Sequence, residues 1–368
     1  MRVLIAPDKF KGSLSAQDVA ATIARAIHSV DPRIEVDQFP IADGGEGTAA
    51  ILAEHLAATR RLTQTVDAIG RPIEAESFIG NGVAIVDMSA ASGLWRINCS
   101  ELDPMRATTF GTGIQIRQLR EAKVPRILLG LGGSATNDAG LGMAAAVGYR
   151  FFTSKREPVI PGPSGIRDIA VIEPPENPDF PECIGLSDVE TKLTGPNGAT
   201  HTFGPQKGLT PSMVAQLDLD FMELVARIEK QLGTNFADVP RSGAAGGLGY
   251  GIMTFLGGKL VSGFEYLADS AKLREHVIAA DLVVTGEGKL DHQTLQGKGP
   301  FGVAALARAC GKPVYAVAGS IEASERLAPF FAKTASLVNE RTSLVEALRD
   351  PEGILYQRAR ALFEIVAA

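Results

Sequence analysis

The sequence predicts a doubly wound α/β protein with a second α/β domain inserted into the first. Three observations carry this expectation. Short apolar runs alternate with helix-patterned stretches at both ends of the chain, as in a parallel sheet covered on both faces. The middle changes to β alternation broken by turn residues. The chain has 368 residues, more than one hydrophobic core usually organises, so two domains are the default. The expected boundaries are 1–60 plus 265–368 for the discontinuous domain and 61–264 for the insert. Two linkers would then cross between the domains and form a natural hinge around a cleft.

In order along the chain, Val3 to Ala6 is an apolar run of strand length. A helix follows over Ala16 to Val30, with Val19, Ile23, Ala26 and Ile27 at helical spacing and Ser15 as its N-cap. Ile34 to Phe39 reads as a second strand and Glu46 to Leu56 as a second helix. Thr59 to Met88 reads as an antiparallel meander, turning at Gly70-Arg71-Pro72 and Gly80-Asn81-Gly82. A helix around 113–122, a strand from Arg126 to Leu131 and a small-residue helix after Asn137 come next, then Pro-rich connections over 157–183. Near the end, Leu282 to Thr285, Pro313 to Val317 and Ala335 to Val338 read as strands, separated by helices at about 300–310, 322–332 and 342–365.

Composition excludes several classes. The net charge of -6 and pI of about 5.5, without basic runs, argue against nucleic-acid binding, which needs clustered Lys and Arg. Cys99, Cys183 and Cys310 are too few and too far apart for a disulfide framework or a zinc site, which fits a reducing, cytoplasmic setting. The N-terminus reads as a buried strand and not as a signal peptide. The longest uncharged stretch, Ser242 to Gly258, is glycine-loaded and short for a membrane span; it reads as a buried loop followed by a helix.

Four loops combine glycine with carboxylates, lysines or small hydroxyls. Asp8-Lys9-Phe10-Lys11-Gly12-Ser13 follows the first strand, where doubly wound sheets bind ligands. Its lysines and Ser13 can hold an anion at a helix start, or simply make a capped turn. Asp43-Gly44-Gly45-Glu46 follows the second strand; both carboxylates suit magnesium, or cap the next helix. Gly130-Leu131-Gly132-Gly133-Ser134-Ala135-Thr136-Asn137-Asp138 allows a nest of N–H groups against phosphate oxygens, with Asp138 as metal ligand or base. Tight helix–sheet packing also wants such small residues. Thr285-Gly286-Glu287-Gly288-Lys289-Leu290-Asp291, with Lys298 beyond, offers metal-binding carboxylates and a cationic clamp for phosphoryl transfer. Two weaker segments are Ser187-Asp188-Val189 and Gly243 to Gly249, whose Gly246 and Gly247 make a phosphate cradle or a close helix contact. No Walker A loop, protein-kinase signature, nucleophile elbow or zinc-protease motif is present.

Taken together these loops resemble the glycerate kinase family of bacteria. The matching stretches are Ala6 to Ala16, Ala42 to Thr48, Gly130 to Asp138, Gly195 to Gly208, Gly243 to Gly249 and Thr285 to Ala304, in the expected order across nearly the whole chain. The resemblance implies a flavodoxin-like α/β domain with a second α/β domain inserted, and the active site in the cleft between them. It implies ATP, Mg2+ and D-glycerate, with phosphorylation of the 2-hydroxyl. It places Lys11, Ser13, Asp43, Glu46, Ser134, Asn137, Asp138, Asp188, Glu287, Asp291 and Lys298 at the family's recurrent polar positions. The individual roles are inferred from residue chemistry and are not part of the match: Asp188, Asp138 and Lys11 in catalysis, and Asp43, Glu46, Glu287 and Asp291 at the metal, to which Asp188 is a further candidate ligand. Lys9, Ser13, Gly132, Gly133, Ser134, Asn137, Gly246, Gly247 and Lys298 are assigned to substrate or phosphate. Two departures from the family pattern stand out: Lys9 replaces a small hydroxyl residue, and Glu190-Thr191-Lys192-Leu193 replaces Asn-Pro-Leu after Asp188. The expected protein is a cytoplasmic monomer or homodimer with no nucleic-acid or membrane partner. A kinase for another small hydroxy acid and a non-catalytic organic-acid sensor are the rival functions; the gathered carboxylates argue against the sensor, since like charges need a metal to offset them.

Overall fold

Ser15 accepts a hydrogen bond from the Asp18 N–H and so starts the first helix where the sequence places it. The computed structural model describes residues 1–291, 299–322 and 327–367. The chain opens with β1 (Arg2–Ile5), α1 (Ala16–Val30), β2 (Glu35–Gln38), α2 (Thr48–His55), β3 (Thr59–Val66), β4 (Pro72–Gly80) and β5 (Val83–Asp87). It continues through α3 (Ser89–Ser92), α4 (Phe110–Glu121), β6 (Arg126–Gly130), α5 (Leu141–Ala146), β7 (Arg150–Phe152), β8 (Val171–Glu173), β9 (Glu182–Leu186), α6 (Ala199–Phe203), α7 (Pro211–Leu232), α8 (Ala244–Leu256) and β10 (Lys259–Val261). It closes with α9 (Gly263–Ser270), α10 (Leu273–Ala279), β11 (Leu282–Thr285), β12 (Lys289–Leu290), α11 (Gly299–Ala309), β13 (Val314–Ala318), β14 (Ser320–Ile321), β15 (Lys333–Ser336), α12 (Leu344–Arg349) and α13 (Pro351–Ala367).

These elements divide into two compact units. The first comprises Met1–Asp43 with Phe264–Ala368, and the second Gly44–Gly263. The first break therefore falls at Asp43 and not at residue 60, because α2 packs on β4, β5 and β6 of the second unit.

The first unit is a five-stranded sheet in the order β15-β13-β11-β1-β2, parallel throughout. By position in this unit the order is 2-1-3-4-5, the flavodoxin-like winding. Val3, Ile5, Leu282, Val284, Tyr315 and Val317 face α1 and α13, while the alternate residues Leu4, Val283 and Ala316 are buried on the other side, where α10 and α11 pack. Burial on both faces explains why these strands are apolar runs and do not alternate with polar residues. Two expected helices differ. The stretch expected at 342–365 breaks at Asp350, because Pro351 cannot continue the turn before it. Within 322–332 the described part holds a 3₁₀ turn, Ala328–Phe330.

The second unit has a six-stranded sheet, β10-β9-β6-β5-β4-β3. β5, β6, β9 and β10 run parallel, and β3 and β4 complete it as an antiparallel meander. Residues expected as plain connections over 157–183 also contain β8, which pairs with β7 as a small antiparallel ladder. The core gathers Ile127 and Leu129 of β6, Phe221 of α7, and Leu248, Tyr250 and Phe255 of α8. Ser242 to Gly258 forms a turn with left-handed backbone at Ala245, Gly246 and Gly247, followed by helix.

Candidate active site

In the first unit the chain leaves β1 and β11 at neighbouring points where the winding changes direction, the usual ligand position in such sheets. The loop after β1 is tied to the loop after β11 by the hydrogen bond from Asp8 N–H to Gly286 O, 2.8 Å. Asp8 is buried here and accepts from the Lys9 N–H at 2.7 Å. Its carboxyl is pushed up to about 8, first by burial, then by the negative charge of Asp43; Lys9 opposes this and Glu287 adds to it. The Lys9 ammonium lies 3.6 Å from Asp43. Lys11 and Ser13 are exposed, and the Ser13 hydroxyl donates to Phe10 O. Asp8, Lys9, Asp43 and Glu287 thus act on one another at one edge of one sheet. Asp291 is buried and paired with Lys289 at 3.1 Å, which also holds Glu322. Lys298 lies outside the described residues.

In the second unit the loops after β5, β6 and β9 share the sheet's C-terminal edge, because the three strands are parallel and in register at Asp87, Gly130 and Leu186. The Asp87 carboxylate accepts from Gly47 N–H at 2.9 Å and Ala49 N–H at 3.1 Å, and so caps α2 from across the sheet. The cap that Asp43 or Glu46 was expected to give is therefore already in place. Glu46 is exposed, its carboxylate beside Gly133. Gly132 donates its N–H to Gly44 O at 3.0 Å, and this removes it from the expected nest. The N–H groups of Gly133 and Ser134 have no protein acceptor among the described residues. Asp188, half-buried, accepts from Ser262 at 2.6 Å. Glu190, in the departing segment, pairs with Arg241 at 2.5 Å, and Arg241 also donates to Ser187 O.

Four expected site residues turn inward. Asp138 is fully buried, and its oxygens accept from Thr109 N–H, the Thr109 hydroxyl, Gly140 N–H and Gly142 N–H at 2.8–3.1 Å. Burial pushes its carboxyl up against the pull of those bonds. These bonds tie the loop after β6 to the start of α4. Asn137 donates to Thr200 at 3.1 Å inside the same core. Gly246 and Gly247 are packing residues: a Cβ on Gly246 would stand 2.0 Å from Thr136 O, and one on Gly247 2.7 Å from the Ala139 Cα. Both have left-handed backbone and lie against the β6 loop.

Comparison with known proteins agrees with this geometry. A profile of the glycerate kinase family matches residues 3–367. A glycerate kinase from Halalkalibacterium halodurans is 37% identical over 365 residues, covering 97% of this chain and 96% of that one. The glycerate 2-kinase of Escherichia coli is 37% identical over 326 residues, 87% of this chain and 86% of that one. The chain belongs to the glycerate kinase family. A solved structure from Salmonella typhimurium LT2, described as a candidate glycerate kinase 2, superposes with a TM-score of 0.82 at 34% identity, over 100% of this chain and 97% of that one.

A glycerate kinase is a phosphotransferase acting on a small acid, so its site must manage several negative charges. Among the described residues no three His, Cys, Asp or Glu side chains stand ready-made around one point as a metal cage. Asp43, Glu46, Glu287 and Asp291 are thus not a preformed ligand set, and Asp291 is already committed to Lys289. Hard carboxylate oxygens at Asp8, Asp43 and Glu287 nonetheless have the right chemistry for a divalent cation. Among the described residues no helix is long and apolar enough to cross a membrane.

Two residues escaped the sequence reading. Asp8 stood beside more conspicuous lysines, although a carboxylate directly beyond an apolar strand was itself a signal. Lys207 is fully buried and donates to the Ser134 hydroxyl at 2.8 Å and to Thr136 O at 2.6 Å. Burial pushes its ammonium down to about 7, while the charge of Asp138 pulls it up. Lys207 carried no expectation of its own beyond lying in the matching stretch Gly195 to Gly208.

Proposed function

We propose that this glycerate kinase transfers the γ-phosphoryl group of ATP to the 2-hydroxyl of D-glycerate, in the cytoplasm. The observation that carries the reading is the setting of Asp8, Lys9, Asp43 and Glu287 at the switch point of a flavodoxin-like sheet, in a chain whose curated relatives are named glycerate kinases. The 2-position rests on the Escherichia coli relative's name.

Asp8, Asp43 and Glu287 would hold magnesium, which supplies charge neutralisation to the phosphate oxygens. Lys9 and Lys11 bring cations to the same edge. Ser134, with the free N–H groups of Gly133 and Ser134, holds an anionic oxygen. The substrate hydroxyl oxygen attacks the γ-phosphorus, the bond to the ADP oxygen breaks, and Asp188 receives the hydroxyl proton, with Ser262 holding it in place. Asp138 has no part in that transfer.

The test is ADP release with ATP, magnesium and D-glycerate, with the product assigned by phosphorus NMR. 2-Phosphoglycerate is the expected product. 3-Phosphoglycerate would overturn the position of attack. Turnover only on another hydroxy acid would overturn the substrate and locate the cause in the departing segment held by Glu190 and Arg241. Ligand binding without turnover would overturn the kinase reading in favour of a sensor.

A further inference from the structure

We propose that Lys207 is a positioning residue: its buried ammonium holds Ser134 so that the serine hydroxyl donates its own proton to an anionic oxygen of the bound hydroxy acid or nucleotide. This rests on the kinase reading above and assigns the cation behind its anion-holding loop.

The geometry is specific. Lys207 closes the 3₁₀ turn Pro205–Lys207, and its Nζ reaches the β6 loop at Ser134 Oγ (2.8 Å) and Thr136 O (2.6 Å). An ammonium only donates, so Ser134 Oγ is the acceptor. The serine keeps its O–H for another partner, and no protein group takes it among the described residues. Ser134 is 8% exposed and Lys207 1%, so the serine is the less enclosed of the two. The unengaged N–H groups of Gly133 and Ser134 lie in the same turn. A hydroxyl that accepts from a cation is a stronger donor, because hydrogen bonds in series polarise one another.

The charge balance points the same way. Among the described residues no carboxylate is within ion-pair distance of Lys207. The ionisable group whose charge acts on it is Asp138, on the same loop, and that carboxylate is taken up by Thr109, Gly140 and Gly142. A buried cation lacking a direct counter-charge is costly, and an incoming anion relieves that cost. Anion binding and protonation of Lys207 are therefore linked: binding favours the ammonium, and deprotonation weakens binding as pH rises through about 7.

The experiment compares Ser134→Ala, Lys207→Met and the double variant with the wild type. It measures KM for D-glycerate and for ATP from pH 6 to 9. Each single variant should raise one of the two KM values about 10- to 100-fold, the loss of one charge-assisted hydrogen bond. A changed glycerate KM assigns the loop to the substrate carboxylate, and a changed ATP KM to a phosphate. Effects should not add in the double variant, and the rise of that KM between pH 6.5 and 8.5 should vanish in Lys207→Met. A Lys207→Met protein that only melts earlier, with both KM values and both pH profiles unchanged, would overturn the proposal. So would additive effects. If Lys207→Met does not fold, Ser134→Ala with unchanged KM for both substrates overturns it alone. Should the wild type show no turnover of D-glycerate, the functional reading fails. Calorimetric titration with D-glycerate and with ATP then decides: proton uptake on binding, lost in Lys207→Met, supports the Lys207 role, and binding of neither overturns it.

Discussion

Asp8 and Asp138 both stand beyond the end of a parallel strand, and burial raises the carboxyl of both. Their neighbours differ. Asp138 is surrounded by four donors from its own unit, three on one oxygen and one on the other. Asp8 is surrounded by like charges, Asp43 and Glu287, with Lys9 as partial relief. The first arrangement is complete as it stands and serves the fold. The second sets like charges against one another, and carboxylates perturbed in that way concentrate at functional sites. A buried, perturbed carboxylate is therefore not itself the sign of a site; what surrounds it decides.

This comparison can be broken most directly at Asp8. Asp8→Asn should lower kcat by about 10²- to 10⁴-fold with the fold retained, read by steady-state kinetics beside a thermal melt. Near-normal kcat would remove Asp8 from the site. Next in size is Asp138→Ala, which strands four donors in the core. It should destabilise the second unit by roughly 3–5 kcal/mol in a denaturant titration. An Asp138→Asn protein of wild-type stability and no activity would reverse the contrast and return Asp138 to the chemistry.

Stability against pH sharpens it further. The ammonium of Lys207 sits at about 7 in the folded protein and at the ordinary 10.5 when unfolded, so between these values the unfolded chain binds the extra proton. The destabilisation is fully present below pH 7 and fades as pH rises, so the second unit should gain up to about 1.4 kcal/mol per pH unit above 7. Subtracting the Lys207→Met curve isolates this slope; parallel curves would mean that Lys207 keeps its ordinary pKa. The smallest effect is at the glycine turn. Gly246→Ala should cost about 1–3 kcal/mol, because Gly246 has φ +64 and the added methyl meets Thr136 O. A catalytic defect without loss of stability would restore Gly246 to the ligand site.

The parts of the fold legible in the sequence were those set by local pattern. Ser15 and the apolar spacing of Val19, Ile23 and Ile27 define α1, and the apolar runs at Val3 and Leu282 mark strands buried on both faces. Long-range relations were not legible. Asp87 caps α2 from 40 residues away, so the capping role fell to the nearer Asp43 and Glu46. The helical period runs through Pro351, and only its missing N–H breaks the helix there. At the candidate site, residue type and strand-end position picked out loops at the sheet edges, but they did not show which way a side chain turns, so Asp138 and Gly246 looked functional and Lys207 drew no expectation. Burial is a property of the packed chain, and a single loop sequence does not encode it.

The discontinuity of the first unit also bears on how the protein is made. β1 pairs with β11, so Leu4 meets Val283 only after residues 44–263 have been synthesised. At about 5–20 residues per second the apolar N-terminal segment waits on the order of fifteen to fifty-five seconds for β11. The second unit, continuous in the chain, can reach its core during that interval. Until then β1 has β2 as its neighbour but lacks β11, and the exposure of its open edge to chaperones and aggregation falls in that window.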